Sequence, residues 1–243
     1  MSLIETHARI LQMGSNVFRT ADAAAYLGLS NSTASRLLAR LATAGHLLSL
    51  RHGVWAVPGK LDPLALASHL TAPFPSYVSL QSALYFHGII SQIPNVIYAV
   101  SVGRTRVFRT PLGTVSIHHL QPEFFFGFEV METAGVAMAT PEKALLDYLY
   151  LRPARSNLFR TLPELELPPR FNSKSARRMI QRIPSVRRRT LVARAFDKLM
   201  AGTRSNSPEK ALGSKALSNY LPAQRGVRAE PPPKPLRNSP ATA

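Results

Sequence analysis

Asn31, Ser32, Thr33, Ser35, Arg36 and Arg40 place short hydroxyl and amide side chains beside two guanidinium groups in one short stretch. Hydroxyls and amides of this length bond phosphate oxygens or base edges, while arginine reaches further, to phosphate or to O6 and N7 of guanine. A little later Arg51 and His52 add two basic groups beside Gly53. The chemistry these residues suit is recognition of a nucleic acid.

Recognition requires that they share a face, and the surrounding residues supply one. Ala34, Leu37, Leu38 and Leu41 recur at helical spacing and form an apolar stripe that leaves the polar set largely on the other side. Ser30 is suited to cap that helix, and Gly28 separates it from a preceding apolar segment, 21–27. Residues 46–50 and 54–57 read as two short strands joined at Arg51-His52-Gly53, a basic-tipped wing. An amphipathic helix with two arginines is by itself an ordinary surface helix. The ordered combination of turn glycine, capped helix and basic hairpin over Thr20 to Val57 predicts a winged helix-turn-helix. In it, the polar set faces the major groove and Arg51 and His52 touch the DNA backbone.

Catalytic groupings are poorly supported elsewhere. His118 and His119 are neighbours in a predicted strand, where successive side chains point to opposite faces, so they do not form a metal site. Glu142, Lys143 and Asp147 carry the residue types of a metal-dependent nuclease, but such a site separates Glu from Lys by one residue at a strand end. Here the two are adjacent at a predicted helix start, which favours helix-terminus electrostatics with Asp147 in solvent. Gly103-Arg104-Thr105-Arg106 is too short for a phosphate loop, and no nucleophile elbow occurs. The residues point to no catalytic set, metal or cofactor.

The 243 residues, 45% hydrophobic, suffice for a sizeable core in one large or two small domains; two is the reading adopted. The absence of cysteine excludes disulfides and thiolate chemistry and agrees with a reducing cytosol. Neither a signal sequence nor a membrane-spanning run is recognisable, so a soluble cytoplasmic protein is expected. The net charge of +17 makes an acidic polymer the natural partner, with a membrane surface as the competing reading. That charge is uneven: +4 over residues 1–60, −2 over 61–150, +10 over 151–200 and +5 over 201–243. The near-neutral middle is thus expected to do something other than hold a DNA backbone.

In the rest of the chain, Leu3, Ile4, His7, Ile10 and Leu11 predict a first helix over 2–13 whose apolar side packs behind the helix-turn-helix, with His7 as a packing residue. Proline and glycine at 58–63 mark a boundary near residue 60. Helices are predicted over 64–70 and 79–87, a strand over 96–102, and a hairpin formed by 106–109 and 114–120. Further strand-like pieces lie at 124–128 and 135–139. Thr140-Pro141-Glu142 then opens a helix whose apolar face is Ala144, Leu145, Tyr148 and Leu149.

Two more helices, 173–182 and 185–200, are dense in arginine. Arg177, Arg178, Arg182, Arg187, Arg188 and Arg189 suit either a solvated face or a second basic surface for nucleic acid or an acidic protein, two readings of equal weight. Residues 201–243 have the Ser, Pro, Lys and Arg composition of a disordered tail. The fold class is therefore α+β: a winged helix-turn-helix (1–60), a mixed α/β domain with a small sheet and basic C-terminal helices (61–200), and a tail (201–243).

Three phrases in this frame, residues 77–84 (YVSLQSAL) with His87-Gly88, residues 109–114 (RTPLGT) and residues 139–147 (ATPEKALLD), resemble the AbiEi family, the antitoxins of type IV toxin–antitoxin (abortive-infection) systems. With the N-terminal module the resemblance spans about residues 1–200. It implies a repressor that binds double-stranded DNA at its own promoter, and a second domain that counters a nucleotidyltransferase-like toxin without requiring a stable complex. The long tail and the basic 151–200 region depart from the family pattern. An orphan winged-helix regulator without a cognate toxin is the alternative, with a nuclease using Glu142 and Asp147 a distant third. A monomer and a dimer on DNA are both compatible with the sequence.

Overall fold

The computed structural model describes residues 2–131, 135–152 and 165–203. The first helix, α1 (Leu3–Gln12), begins with a capping box: Ser2 Oγ accepts from the Glu5 amide at 3.1 Å, and the Glu5 carboxylate accepts from the Ser2 amide at 3.3 Å. Its buried side is narrower than predicted. Thr6 and Ile10 are fully buried, whereas Ile4 is 84% and Leu11 41% exposed, because α1 packs one face against α2 and α3 and leaves the other in solvent.

Strand β1 (Val17–Arg19) leads into α2 (Thr20–Leu27), which stops at Gly28 in the left-handed conformation, φ 67°. Helix α3 (Asn31–Thr43) follows, then the hairpin of β2 (Leu48–Arg51) and β3 (Val54–Ala56). The three strands lie in the order β1-β3-β2, all antiparallel. Strand β1 has too few residues for a periodic signal and is defined by its pairing, with Phe18 opposite Trp55. This is the element order expected of a winged helix-turn-helix. Ile10, Phe18, Leu27, Leu38, Leu41, Leu47 and Trp55 fill its core.

The second sheet has six strands in the order β6-β7-β5-β4-β9-β8. They are β4 (Ser76–Val78), β5 (Ile97–Ser101), β6 (Arg106–Thr110), β7 (Gly113–His119), β8 (Phe128–Met131) and β9 (Val136–Ala139). The β6–β7 and β8–β9 pairs are antiparallel hairpins at the two edges, while β5–β7 and β4–β9 run parallel. The aromatic stretch 124–128 departs from expectation: Pro122–Phe124 is a 3-10 turn and the strand starts at Phe128. Phe124 is buried against Tyr150, their rings 4.7 Å apart, so its hydrophobicity reports core packing and not strand pairing.

Helices α4 (Leu66–Thr71), α5 (Leu80–Phe86), α6 (Pro141–Leu151), α7 (Ser173–Gln181) and α8 (Val186–Thr203) complete the unit. Helix α8 runs to Thr203, past the predicted start of the tail; residues 204–243 lie outside the described residues. Helix α6 is central. Every residue from Glu142 to Leu151 is buried, because α5, α7, α8 and β9 all contact it. Among the described residues no helix is long and apolar enough to cross a membrane.

The hairpin serves both cores. Trp55 enters the N-terminal core and donates its indole N–H to Thr20 Oγ1 at 2.9 Å, while Leu50, Val54 and Ala56 join the core of the larger unit. Alternation along a strand sends neighbouring side chains to opposite faces, so one short strand is glue for two units.

Candidate nucleic-acid interface

Helix α3 starts from a knot of hydroxyls. Ser30 Oγ accepts from the Thr33 amide at 3.2 Å, donates to Thr33 Oγ1 at 2.9 Å and lies 3.0 Å from Ser32 Oγ. The cap satisfies one of the free N–H groups of the first turn and fixes the helix origin. Ala34, Leu38 and Leu41, at 0% exposure, then set the rotation of the helix about its axis. Asn31, Ser32, Arg36 and Arg40 are exposed, and Thr33 and Ser35 half-buried. Ser32, Arg36 and Arg40 succeed one another four residues apart, so they form a row on one face with two arginines at its far end. The positive end of the helix dipole lies at the hydroxyl knot, which favours an anion there.

The two hairpin residues part company. His52 is exposed at the tip, where Gly53 turns the chain with φ 72°. Arg51 is half-buried: its Nη2 donates to the Ala72 carbonyl at 3.4 Å, and it lines a cleft between the hairpin and the six-stranded sheet. Phe74, Arg104, Arg106, Phe108 and His119 line the same cleft. Sequence reasoning missed this grouping, since its members come from four separate segments. The motif at 103–106 was its one local signal, and it carries two of the arginines.

Most of the second basic group is engaged within the protein. Arg188 Nη1 donates to the Tyr150 carbonyl at 3.0 Å, and Arg189 Nη1 reaches the Gln181 and Ile183 carbonyls at 3.4 Å each. These carbonyls lie at or just past the C-terminal ends of α6 and α7, where cations complement the helix dipole and unpaired oxygens. Arg182 stacks 3.5 Å above the Phe126 ring, and Arg177 pairs with Asp197 at 2.6 Å. Arg178 and Arg187 are exposed.

Glu142, Lys143 and Asp147 are not a solvated helix start. Asp147 is fully buried and ion-paired to Lys143, which is equally buried, and Asp147 Oδ2 also accepts from Ser79 Oγ at 2.7 Å and Tyr77 Oη at 3.0 Å. The Lys143 ammonium lies 3.5 Å from the Phe124 ring centroid. Glu142 Oε1 accepts from the Asn172 amide at 2.6 Å, and Asn172 caps α7. Burial drives the Asp147 carboxyl above the usual carboxylate range and the Lys143 ammonium below the usual lysine range, each opposed by the partner's charge. Burial and the neighbouring carboxylate together push the Tyr77 phenol well up. With its oxygens occupied and out of solvent, Asp147 can neither meet a nucleic acid nor share a metal with Glu142. The quartet ties β4, α5 and α6 together.

His118 and His119 reach different partners: His118 Nε2 contacts Ser116 Oγ at 3.1 Å, and His119 Nδ1 donates to the Gly103 carbonyl at 2.9 Å.

A capped helix with an exposed hydroxyl–arginine row, next to a hairpin, gives the N-terminal unit the element arrangement of a helix-turn-helix module. Residues 8–58 match the family model described as transcriptional regulator, AbiEi antitoxin. The similarity to the AbiEi antitoxin transcriptional regulators is thus confined to the N-terminal segment; the match ends just past β3 and leaves the second unit outside it. Among solved structures the chain is similar to the RV2827C protein from Mycobacterium tuberculosis, at 16% identity and a TM-score of 0.48 over 85% of this chain and 83% of that one. The curated proteins include no match.

Proposed function

We propose that the chain is a DNA-binding transcriptional regulator of antitoxin type that represses its own operon and counteracts a nucleotidyltransferase-like toxin. The observation that carries the reading is the row on α3: Ser32, Arg36 and Arg40 exposed opposite the fully buried Ala34, Leu38 and Leu41. Asn31, Thr33 and Ser35 flank that row for base and phosphate contacts in the major groove, and His52 meets the backbone from the hairpin tip. Arg51 belongs less to this surface than to the cleft behind it. The family match supports the regulator class, and toxin antagonism rests on the family resemblance.

The test is operator binding by the full chain and by Arg36→Ala. The variant is expected to lose sequence-specific affinity while its melting temperature holds, and unchanged affinity would remove α3 from the interface. Antitoxicity is best separated from repression in the intact protein, since Leu50, Val54 and Ala56 are part of the larger core and truncation at residue 60 would strip it. If the Arg36→Ala, Arg40→Ala double variant no longer binds operator yet still relieves toxicity when co-expressed with the neighbouring toxin gene, the second unit acts on its own. If relief disappears with DNA binding, repression is the whole activity.

A further inference from the structure

The cleft behind the hairpin has a volume of about 610 Å³, within the range of small-molecule sites. Its charge is one-sided. Arg51, Arg104 and Arg106 all line it, and among the described residues no carboxylate lines it or forms an ion pair with any of the three. Arg51 Nε is buried without a hydrogen-bond partner among the described residues, and the one bond of its guanidinium is the long one to Ala72. Guanidinium groups gathered on one concavity raise the potential there, and an unpartnered buried donor carries a desolvation cost that an anion would offset. The planar forks suit phosphate oxygens in particular.

The aromatic lining narrows the ligand further. Phe74 and Phe108 line the same cleft. The Phe74 ring rests on Gly103, where an added Cβ would come within 3.1 Å of it, yet Phe74 keeps 52% exposure. An exposed ring held from behind by bare backbone is a stacking platform for a planar group. Inorganic phosphate would use the arginines and leave the rings and most of the volume idle.

We propose that this cleft binds a nucleoside phosphate, its phosphate on Arg51, Arg104 and Arg106 and its base against Phe74 and Phe108. The site is separate from the α3 surface and does not depend on the DNA-binding reading.

Calorimetric titration of the full-length protein with AMP and GMP tests it, with adenosine, guanosine and inorganic phosphate as partial ligands. At least one nucleotide is expected to bind with a Kd of about 1 mM or tighter, and each partial ligand at least about tenfold more weakly. Arg104→Gln and Phe74→Ala, both at exposed positions, should each weaken nucleotide binding about tenfold with the melting temperature unchanged, and Arg36→Ala should leave it unaltered. The proposal fails if neither nucleotide binds, if inorganic phosphate binds as tightly as the nucleotides, or if the Arg104→Gln, Phe74→Ala double variant binds normally. It also fails if Arg36→Ala abolishes nucleotide binding, which would make the cleft an extension of the α3 surface.

Discussion

Lys143 and Asp147, one turn apart on α6, form an ion pair with both side chains fully out of solvent. Such a pair is not itself strong evidence of stability, because desolvating two charges offsets most of their attraction. Removing one partner is another matter. Asp147→Asn strands a buried ammonium and is expected to destabilise the protein by about 3–5 kcal/mol. Asp147→Leu combined with Lys143→Met should cost distinctly less than the sum of the single changes. Urea unfolding of the wild-type chain, Asp147→Asn, the Asp147→Leu and Lys143→Met single variants and their double variant checks this, and additive effects would show that the two groups act independently.

Gly127 lies beside the same pair. Its φ is 75°, and an added Cβ would lie 3.2 Å from Lys143 Cγ. Gly127→Ala would meet the left-handed penalty of about 1–2 kcal/mol and also press on the lysine stem. A lower melting temperature is expected, with a smaller loss in a Gly127→Ala, Lys143→Met background, where the flexible methionine can yield. Equal losses in both backgrounds would assign the whole effect to the backbone.

Acid should weaken the fold through its buried histidines. His69, His87 and His118 are all held below the ordinary histidine value of 6.5, by burial in each case. The folded state then binds fewer protons than the unfolded chain once the pH falls beneath that value, so stability declines from about pH 6.5 downward. His87 donates Nε2–H to the Ala139 carbonyl at 2.7 Å, at the end of β9 just before α6. Denaturant midpoints at pH 7.5 and 5.5 give the slope, and His87→Gln should flatten it; a midpoint that rises on acidification contradicts the sign.

On the proposed DNA surface, experiment can assign the two arginines of α3 separately to phosphate or base contacts. Where Arg40 holds a phosphate, Arg40→Ala lowers affinity for all sequences alike and reduces the salt slope by about 1. Where Arg36 reads a base edge, Arg36→Ala costs about 1–3 kcal/mol at one operator position. Filter binding across a salt series, on operator and scrambled duplexes, distinguishes them. Two variants with the same slope and the same specificity as the wild-type chain would leave α3 without a role.

The elements legible in the residues were those whose signal is local. Ser30 and Thr140 cap the helices predicted for them, Gly28 and Gly53 turn the chain where turns were expected, and the 106–120 hairpin forms. A cap, a left-handed glycine and an amphipathic period each depend on a few consecutive residues. The strands β1 and β4 were not legible: three residues carry no periodicity, and each exists because partners from distant segments complete its ladder.

The same distinction runs through the sites. The α3 row could be read from the chain, since one helix both selects and orients it. The fate of Arg51 could not, because turning outward beside His52 or into the cleft depends on Ala72 and on the sheet edge beyond it. Nor could Asp147 be recognised as buried: its charge suggested solvent, and only the closure of α5, α7 and α8 around α6 encloses it. By itself the sequence determined where helices start, where chains turn and which way α3 presents its polar residues, all consequences of bonds and spacings within a few residues. The tertiary structure alone decided which charges meet water and which meet each other, because burial is a property of everything packed around a residue.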